Sequence, residues 1–246
     1  TPGRSIVEGL SDSKTLGLPN YEQAIIQHQS YIDALTKCGL DVFVLESCEE
    51  YPDSTFVEDV ALITPNCAII TRPGAPSRRG EVNEIEYILK QKFNNIEAIE
   101  APGTIEGGDI MMVGNHYYIG LSERTNLEGA KQIIQILNKY RMSASTISLK
   151  KVLHLKTGLS YLEKNNLVVC GEFINDSLFE QFNPIEIPKK ESYAANCIWV
   201  NESVIIPLGY PTTKQRIENA GYPVIETDVA EFQKLDGGLS CLSLRY

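Results

Sequence analysis

Apolar positions along the chain follow two rhythms. At five places they recur every three to four residues, the spacing of a helix face packed on a core. The first run predicts a helix over 21–38 that opens on Asn20 as N-cap with Gln23 three residues on. It carries Ile25, Ile32 and Leu35 on one side and stops at Gly39. The second helix spans 80–93 with Val82, Ile85, Ile88 and Leu89, and the third spans 127–140 with Ile133, Ile134 and Leu137. A short fourth is expected over 173–182 and a fifth over 212–220. Between them lie β-rich runs at 41–45, 60–63, 67–71, 96–99, 110–113, 116–120, 167–171, 197–200, 203–207 and 223–226. Several pair across tight turns such as Gly114-Asn115 and Asn201-Glu202, a hairpin signal. Helix plus hairpin, recurring along the chain, predicts an α/β fold of repeated units. No linker or low-complexity tract interrupts it, so one domain over 1–246 is expected.

Composition narrows the partners more than the chemistry. The net charge of −10 disfavours nucleic acid and anionic membrane, both of which need a basic surface. No apolar run approaches membrane-spanning length and no leader of basic then apolar residues is visible, so a cytoplasmic location is expected. The sequence starts at Thr1, and a short preceding piece is expected to be missing from the numbering. Six cysteines include no CxxC pair and read as reduced thiols. Cys67, Cys170 and Cys197 lie in apolar runs and read as small buried hydrophobes, whereas Cys241 follows a Gly-Gly turn in DGGLSC.

Polar residues gather where strands should end. Asp53, Glu58 and Asp59 lead into the apolar run at 60–63. On a strand Glu58 and Asp59 point to opposite faces, and a solvated strand end is the plain alternative to a site. Glu106 and Asp109 flank two glycines in EGGD, which would equally suit a solvated hairpin turn. His154 stands after an apolar pair in HLKTG, while His28 and His116 read as structural. Arg72, Arg78, Arg79 and Arg124 lie in turn-rich segments, where arginine decorates surfaces or captures a carboxylate bidentately. Together these residues provide a nucleophile, an acid/base, carboxylates for a cation and arginines for an anion. That set suits a small cationic amino acid as substrate. No HExxH, no GxGxxG after a strand and no GxxxxGK[ST] occurs, so neither a metal nor another cofactor is expected.

The segments FVEDVALI, ITRPGAPSRRGE, GGDIMMVG, YYIGLSERTN, HLKTG, AANCIWVN and DGGLSC, in this order, resemble the dimethylarginine dimethylaminohydrolases, the bacterial members most. The resemblance implies the fold of the guanidine-modifying superfamily, a five-bladed α/β propeller of ββαβ units. It implies Cys241 as nucleophile, His154 as acid/base and Glu106 as the carboxylate that orients the site. Asp59, assisted by Glu58, would hold the substrate guanidinium, and Arg78 and Arg124 its α-carboxylate. Asp53 and the backbone carbonyl of Leu10, on a short lid over 10–20, would contact the α-amino group. It further implies a short apolar strand ahead of Thr1-Pro2, and it is compatible with a homodimer formed through one blade.

The chemistry expected is hydrolysis of a methylated arginine to citrulline and an amine through a covalent cysteine intermediate. The acids of the site would disfavour a thiolate beside them, and an arriving cation would reverse that balance, so Cys241 is expected to ionise when substrate binds. Two other readings stay open, and a third is disfavoured. A relative acting on arginine or citrulline, or an amidinotransferase, would share these residues. A binding protein without catalysis would keep Asp59, Arg78 and Arg124 but has no use for Cys241 and His154. A papain-like protease lacks its motif around the cysteine.

Overall fold

The computed structural model describes residues 1–12 and 14–246. The chain divides into two compact units, Thr1–Thr55 with Gly158–Ser240 and Phe56–Thr157 with Cys241–Tyr246.

The first unit opens on helix α1 (Tyr21–Lys37), capped as predicted by the Asn20 side chain, which accepts the Gln23 N–H at 2.9 Å. Its buried stripe is Ala24, Gln27, His28, Tyr31, Ala34 and Leu35, while Ile25 and Ile32 stay half-buried. The small Ala24 and Ala34 let the helix approach its neighbours along their own line, which rotates the expected face. Gly39, at φ 84°, ends the helix, with its N–H and that of Leu40 turned back onto the Thr36 and Leu35 carbonyls. The run 41–45 is not the expected strand. Its backbone joins no ladder, and Phe43 is 69% exposed. Thr1 approaches it where its backbone nitrogen and its hydroxyl both donate to the Leu45 carbonyl, at 2.9 and 2.8 Å. Apolar composition alone does not make a strand, which needs a neighbouring strand to complete its ladder.

In the second unit β1 (Ala61–Ile63) and β2 (Ala68–Ile70) form an antiparallel hairpin, α2 (Val82–Lys92) follows, and β3 (Ile96–Ala98) returns parallel to β2. The path repeats through β4 (Ile110–Val113), β5 (His116–Leu121), α3 (Leu127–Lys139) and β6 (Ser143–Ser148). Ile110 faces Ile119 across the second hairpin, and α3 brings Ile133 and Leu137 onto the same core as Cys67, Ile69, Ile105 and Tyr117. A one-turn helix, α4 (Leu155–Gly158), leads on to β7 (Leu159–Tyr161).

The first unit resumes there with two more sheets. In one, β7 pairs antiparallel with β8 (Asn166–Val169), and β9 (Asn183–Glu186) runs parallel to β8. In the other, β10 (Ile198–Val200) and β11 (Ser203–Pro207) form the hairpin, α5 (Pro211–Asn219) follows, and β12 (Val224–Thr227) runs parallel to β11. The short α6 (Ala230–Gln233) comes next. Their shared core includes Leu162, Val168, Cys197, Ile206 and Ile217. The helix expected over 173–182 is instead two 3-10 turns, Gly171–Phe173 and Ser177–Phe179. Asn175 takes a positive φ of 64°, and the Asp176 side chain accepts the Leu178 N–H, so a fresh turn starts where a helix would have continued.

Among the described residues the strands thus form four three-stranded sheets, each a hairpin plus a parallel third strand. β6, β7 and β9 went unread in the sequence because SASTIS, LSY and NPIE carry little apolar signal. β6 and β9 are largely exposed edge strands, where polar residues and proline are tolerated. Among the described residues no helix is long and apolar enough to cross a membrane.

Candidate active site

Apart from Leu10 and Asp53, the residues given a catalytic or substrate-binding role above all fall in the second unit. Glu58 and Asp59 do not alternate, because the chain has not yet entered β1. They sit in a 3-10 turn, Val57–Val60, with both carboxylates buried rather than solvated. The EGGD segment is also a 3-10 turn, Gly107–Asp109, and Glu106 and Asp109 are completely buried. The two turns pack backbone to backbone. A Cβ on Gly107 would lie 1.9 Å from the Glu58 carbonyl oxygen, so only glycine fits there.

The second turn delivers Glu106 to His154. The His154 Nε2 lies 2.8 Å from Glu106 Oε2, and since a carboxylate accepts only, Nε2 carries the proton. The other Glu106 oxygen accepts the Gly74 N–H at 3.0 Å and lies 3.8 Å from Arg124 Nη1. The ring is thereby turned with Nδ1 towards Gly108, where a side chain would crowd it. Burial works against charge on this imidazole, but Asp109, Glu106 and Asp59 together outweigh it and lift the pKa to about 9. At neutral pH the ring is therefore an imidazolium.

Asp59 accepts Arg78 Nη1 at 2.7 Å on one oxygen and the Gly108 N–H at 3.0 Å on the other. Burial opposes its ionisation, yet the Arg78 and His154 charges and these bonds hold its carboxyl below the usual range. Arg78 does not stand open as a ligand for a substrate carboxylate. It is 4% exposed, its Nε and Nη2 reach Glu81 at 2.9–3.1 Å, and Nη2 also donates to the Phe56 carbonyl at 3.2 Å. Glu58 is likewise engaged, with Lys156 Nζ at 2.5 Å and Arg245 Nη2 at 3.6 Å from Oε1.

Cys241 is buried, outside any disulfide, in the 3-10 turn Ser240–Leu242. Its segment is anchored in the second unit by Arg245 on Glu58 and by the ring of Tyr246 against Phe93 at 5.4 Å. None of the six cysteines is in a disulfide, and Cys67, Cys170 and Cys197 are buried as expected. Leu10 and Asp53 meet each other in the first unit, where the Leu10 N–H donates to both Asp53 oxygens at 3.0 and 3.2 Å. Within the expected lid over 10–20, Ser13 lies outside the described residues.

With this arrangement in view, comparison with known proteins is decisive. The family model described as "N,N dimethylarginine dimethylhydrolase, eukaryotic" matches residues 17–242. The chain is 58% identical to the N(G),N(G)-dimethylarginine dimethylaminohydrolase of Pseudomonas aeruginosa, over 100% of this chain and 97% of that protein. This chain belongs to the dimethylarginine dimethylaminohydrolase family. A crystal structure of the P. aeruginosa family member, a cysteine-to-serine variant complexed with citrulline, superimposes with a TM-score of 0.98 at 57% identity and covers 100% of this chain and 96% of its own. A histidine-to-glycine variant of a dimethylarginine dimethylaminohydrolase, an adduct with S-methyl-L-thiocitrulline, matches equally, with TM-score 0.98, 57% identity and 100% and 97% coverage.

Several residues that shape this family member's site were missed in the sequence. Glu81, Ser122, Thr125, Lys156 and Arg245 are ordinary surface types by composition, and only their burial or their partners single them out. Asp109 stood in a noted cluster but carried no role. Ligand atoms of Asp59, Glu106 and His154 lie within 4.8 Å of one another, close enough to share a cation. Their oxygens are instead occupied by N–H donors from Arg78, Gly108, Gly74 and His154 itself, so the trio is built around a proton.

Proposed function

We propose that this chain hydrolyses Nω-methylated arginine to citrulline and methylamine or dimethylamine, with Cys241 as nucleophile and His154 as acid and base. The single observation that carries the reading is the buried His154–Glu106 pair, held as an imidazolium in the unit that contains Cys241. Its family membership supports the same assignment.

The guanidinium carbon resists water because its charge is delocalised, and a thiolate attacks it far better. The Cys241 sulfur forms a bond to that carbon, the bond to the methylated nitrogen breaks, and the His154 imidazolium gives its proton to the departing amine. A thiouronium remains. Neutral His154 then takes one proton from water as the oxygen attacks the carbon, the C–S bond breaks, the second water proton passes to the departing Cys241 sulfur, and citrulline leaves. Glu106 keeps the ring oriented and stabilises its charged form through Nε2, which assigns the exchangeable proton to Nδ1. Asp59 presents the charge that faces the guanidinium. The protein's own cations already balance the neighbouring carboxylates, so the positive charge of bound substrate is compensated by ionisation of Cys241.

Arg124 is the α-carboxylate ligand of this reading, with a side chain 19% exposed and a guanidinium near Glu106. Arg78 holds Asp59 in place. The α-amino group falls to Leu10 and Asp53 by resemblance alone. The fold refines to five ββαβ units if 1–55, whose described residues hold the helix of a unit and no strand, counts as the fifth beside the four sheets.

The test is citrulline formation from asymmetric dimethylarginine, with arginine and citrulline as parallel substrates and Cys241→Ser as control. Citrulline from the methylated substrate, lost in the variant while ligand binding persists, is the expected result. Turnover of arginine alone, or undiminished turnover by the variant, overturns the reading.

A further inference from the structure

Asp109 has no part in the reaction as written, yet it is completely buried and joins two parts of the site. Its Oδ1 accepts the Leu155 N–H at 3.0 Å, at the residue after His154. Its Oδ2 accepts the Ser122 hydroxyl at 2.7 Å. The Ser122 oxygen in turn accepts the Arg124 and Thr125 N–H groups, both at 3.0 Å, and closes the turn that carries Arg124. Thr125 completes the circuit, its hydroxyl accepting the Glu106 N–H at 3.2 Å. A carboxylate this deep is costly unless its charge is used. Burial pushes the Asp109 carboxyl up, and His154, Thr125, Ser122 and the Leu155 N–H oppose that rise.

We propose that Asp109 is a positioning residue that fixes the acid/base helix turn and, through Ser122, the anion-binding turn of Arg124, so that one buried charge sets both His154 and Arg124. This rests on the roles given to His154 and Arg124 above. Two consequences separate along its two oxygens. Towards His154 the effect is electrostatic as well as geometric, because Asp109 heads the carboxylates that oppose burial of the ring. The other charges around that ring are Asp59 with its partner Arg78, Glu106 with Arg124 nearby, and, on the short helix that follows His154, Lys156 paired to Glu58. Towards Arg124 the effect is purely geometric, since Ser122 is neutral.

The experiment uses the full chain with Asp109→Asn and Ser122→Ala, read by NMR titration of the His154 ring and by pH-dependent kinetics on dimethylarginine. Asp109→Asn keeps an acceptor for Leu155 but removes the charge. It should lower the His154 pKa by about one unit or more and move the alkaline limb of kcat down with it. Ser122→Ala keeps the charge and cuts the link to Arg124. It should raise KM roughly fivefold to tenfold or more, because the turn that carries Arg124 loses the Ser122 oxygen that closes it, without moving the His154 titration. An unshifted His154 in a folded Asp109→Asn protein overturns the inference and leaves Asp109 a purely structural acid. Unchanged KM in Ser122→Ala overturns its second half, and that variant tests the link even if Asp109→Asn does not fold. The ring titration needs no turnover, so a failure of the substrate assignment would show separately, as kinetics absent beside a normal His154 shift.

Discussion

Replacing Arg78 with methionine separates two roles for this residue. As a ligand for a substrate carboxylate, Arg78 would matter to KM and little to stability. The structure instead surrounds its guanidinium with Asp59, Glu81 and the Phe56 carbonyl, all buried. Methionine fills much of the same volume but leaves two buried carboxylates without their cation. Breaking a buried pair from one side costs about 3–5 kcal/mol. In a chain of this length each kcal/mol moves Tm by roughly 2–4 °C, so a loss of roughly 6–20 °C is expected. Scanning calorimetry at pH 7 measures it directly, with kcat and KM determined below the transition. Because Asp59 loses its place, kcat should fall along with stability. The pH dependence supplies a second check with a defined sign. The Asp59 pKa lies below its unfolded value, so its contribution is present above the ordinary carboxylate range and is lost as pH falls through the folded value. The gap in Tm between wild type and variant should therefore narrow in acid. A Tm within a degree or two of wild type, with only KM raised, would refute the clamp and restore Arg78 as a substrate ligand.

Other outcomes follow from neighbouring contacts. Lys156→Met strips the close cation from Glu58 and should lower kcat/KM by about tenfold or more, and adding Glu58→Gln should recover part of the lost stability, because the unpaired charge is gone; a double variant less stable than either single one would contradict that coupling. His154 binds its proton more tightly folded than unfolded, so its stabilisation is full below pH 6.5 and is lost as pH rises through about 9. The Tm difference between wild type and His154→Asn should accordingly shrink across that interval, and a widening difference would reverse the electrostatic assignment. Gly108→Ala places a methyl 2.9 Å from His154 Nδ1, so it should depress kcat strongly with a modest loss of Tm, measured by steady-state kinetics and calorimetry; undiminished kcat would show that the ring has room to move.

Several features could be read from the linear chain because they depend on neighbours in sequence. Helical periodicity located α1, α2, α3 and α5 within a residue or two, and Asn20 capped α1 as its side chain dictates. Ordered motifs such as HLKTG and DGGLSC marked His154 and Cys241, and the two glycines of EGGD marked a tight turn. What distance decides was hidden. The run 41–45 has a strand's composition but joins no sheet among the described residues, while β6 and β9 have poor strand composition but a partner beside them. Whether Glu58 and Asp59 were solvated or buried could not be inferred from alternation, since a 3-10 turn places both inside. Arg78 was legible as an arginine suited to a carboxylate, but which carboxylate it meets depends on Asp59 and Glu81 arriving from different turns. The same holds for Asp109, whose Leu155 and Ser122 partners come from segments far apart in the chain. Local backbone preference and motif order act over a few residues and are written in the sequence, whereas burial, charge pairing and the protonation of His154 arise only when distant carboxylates are packed around one ring.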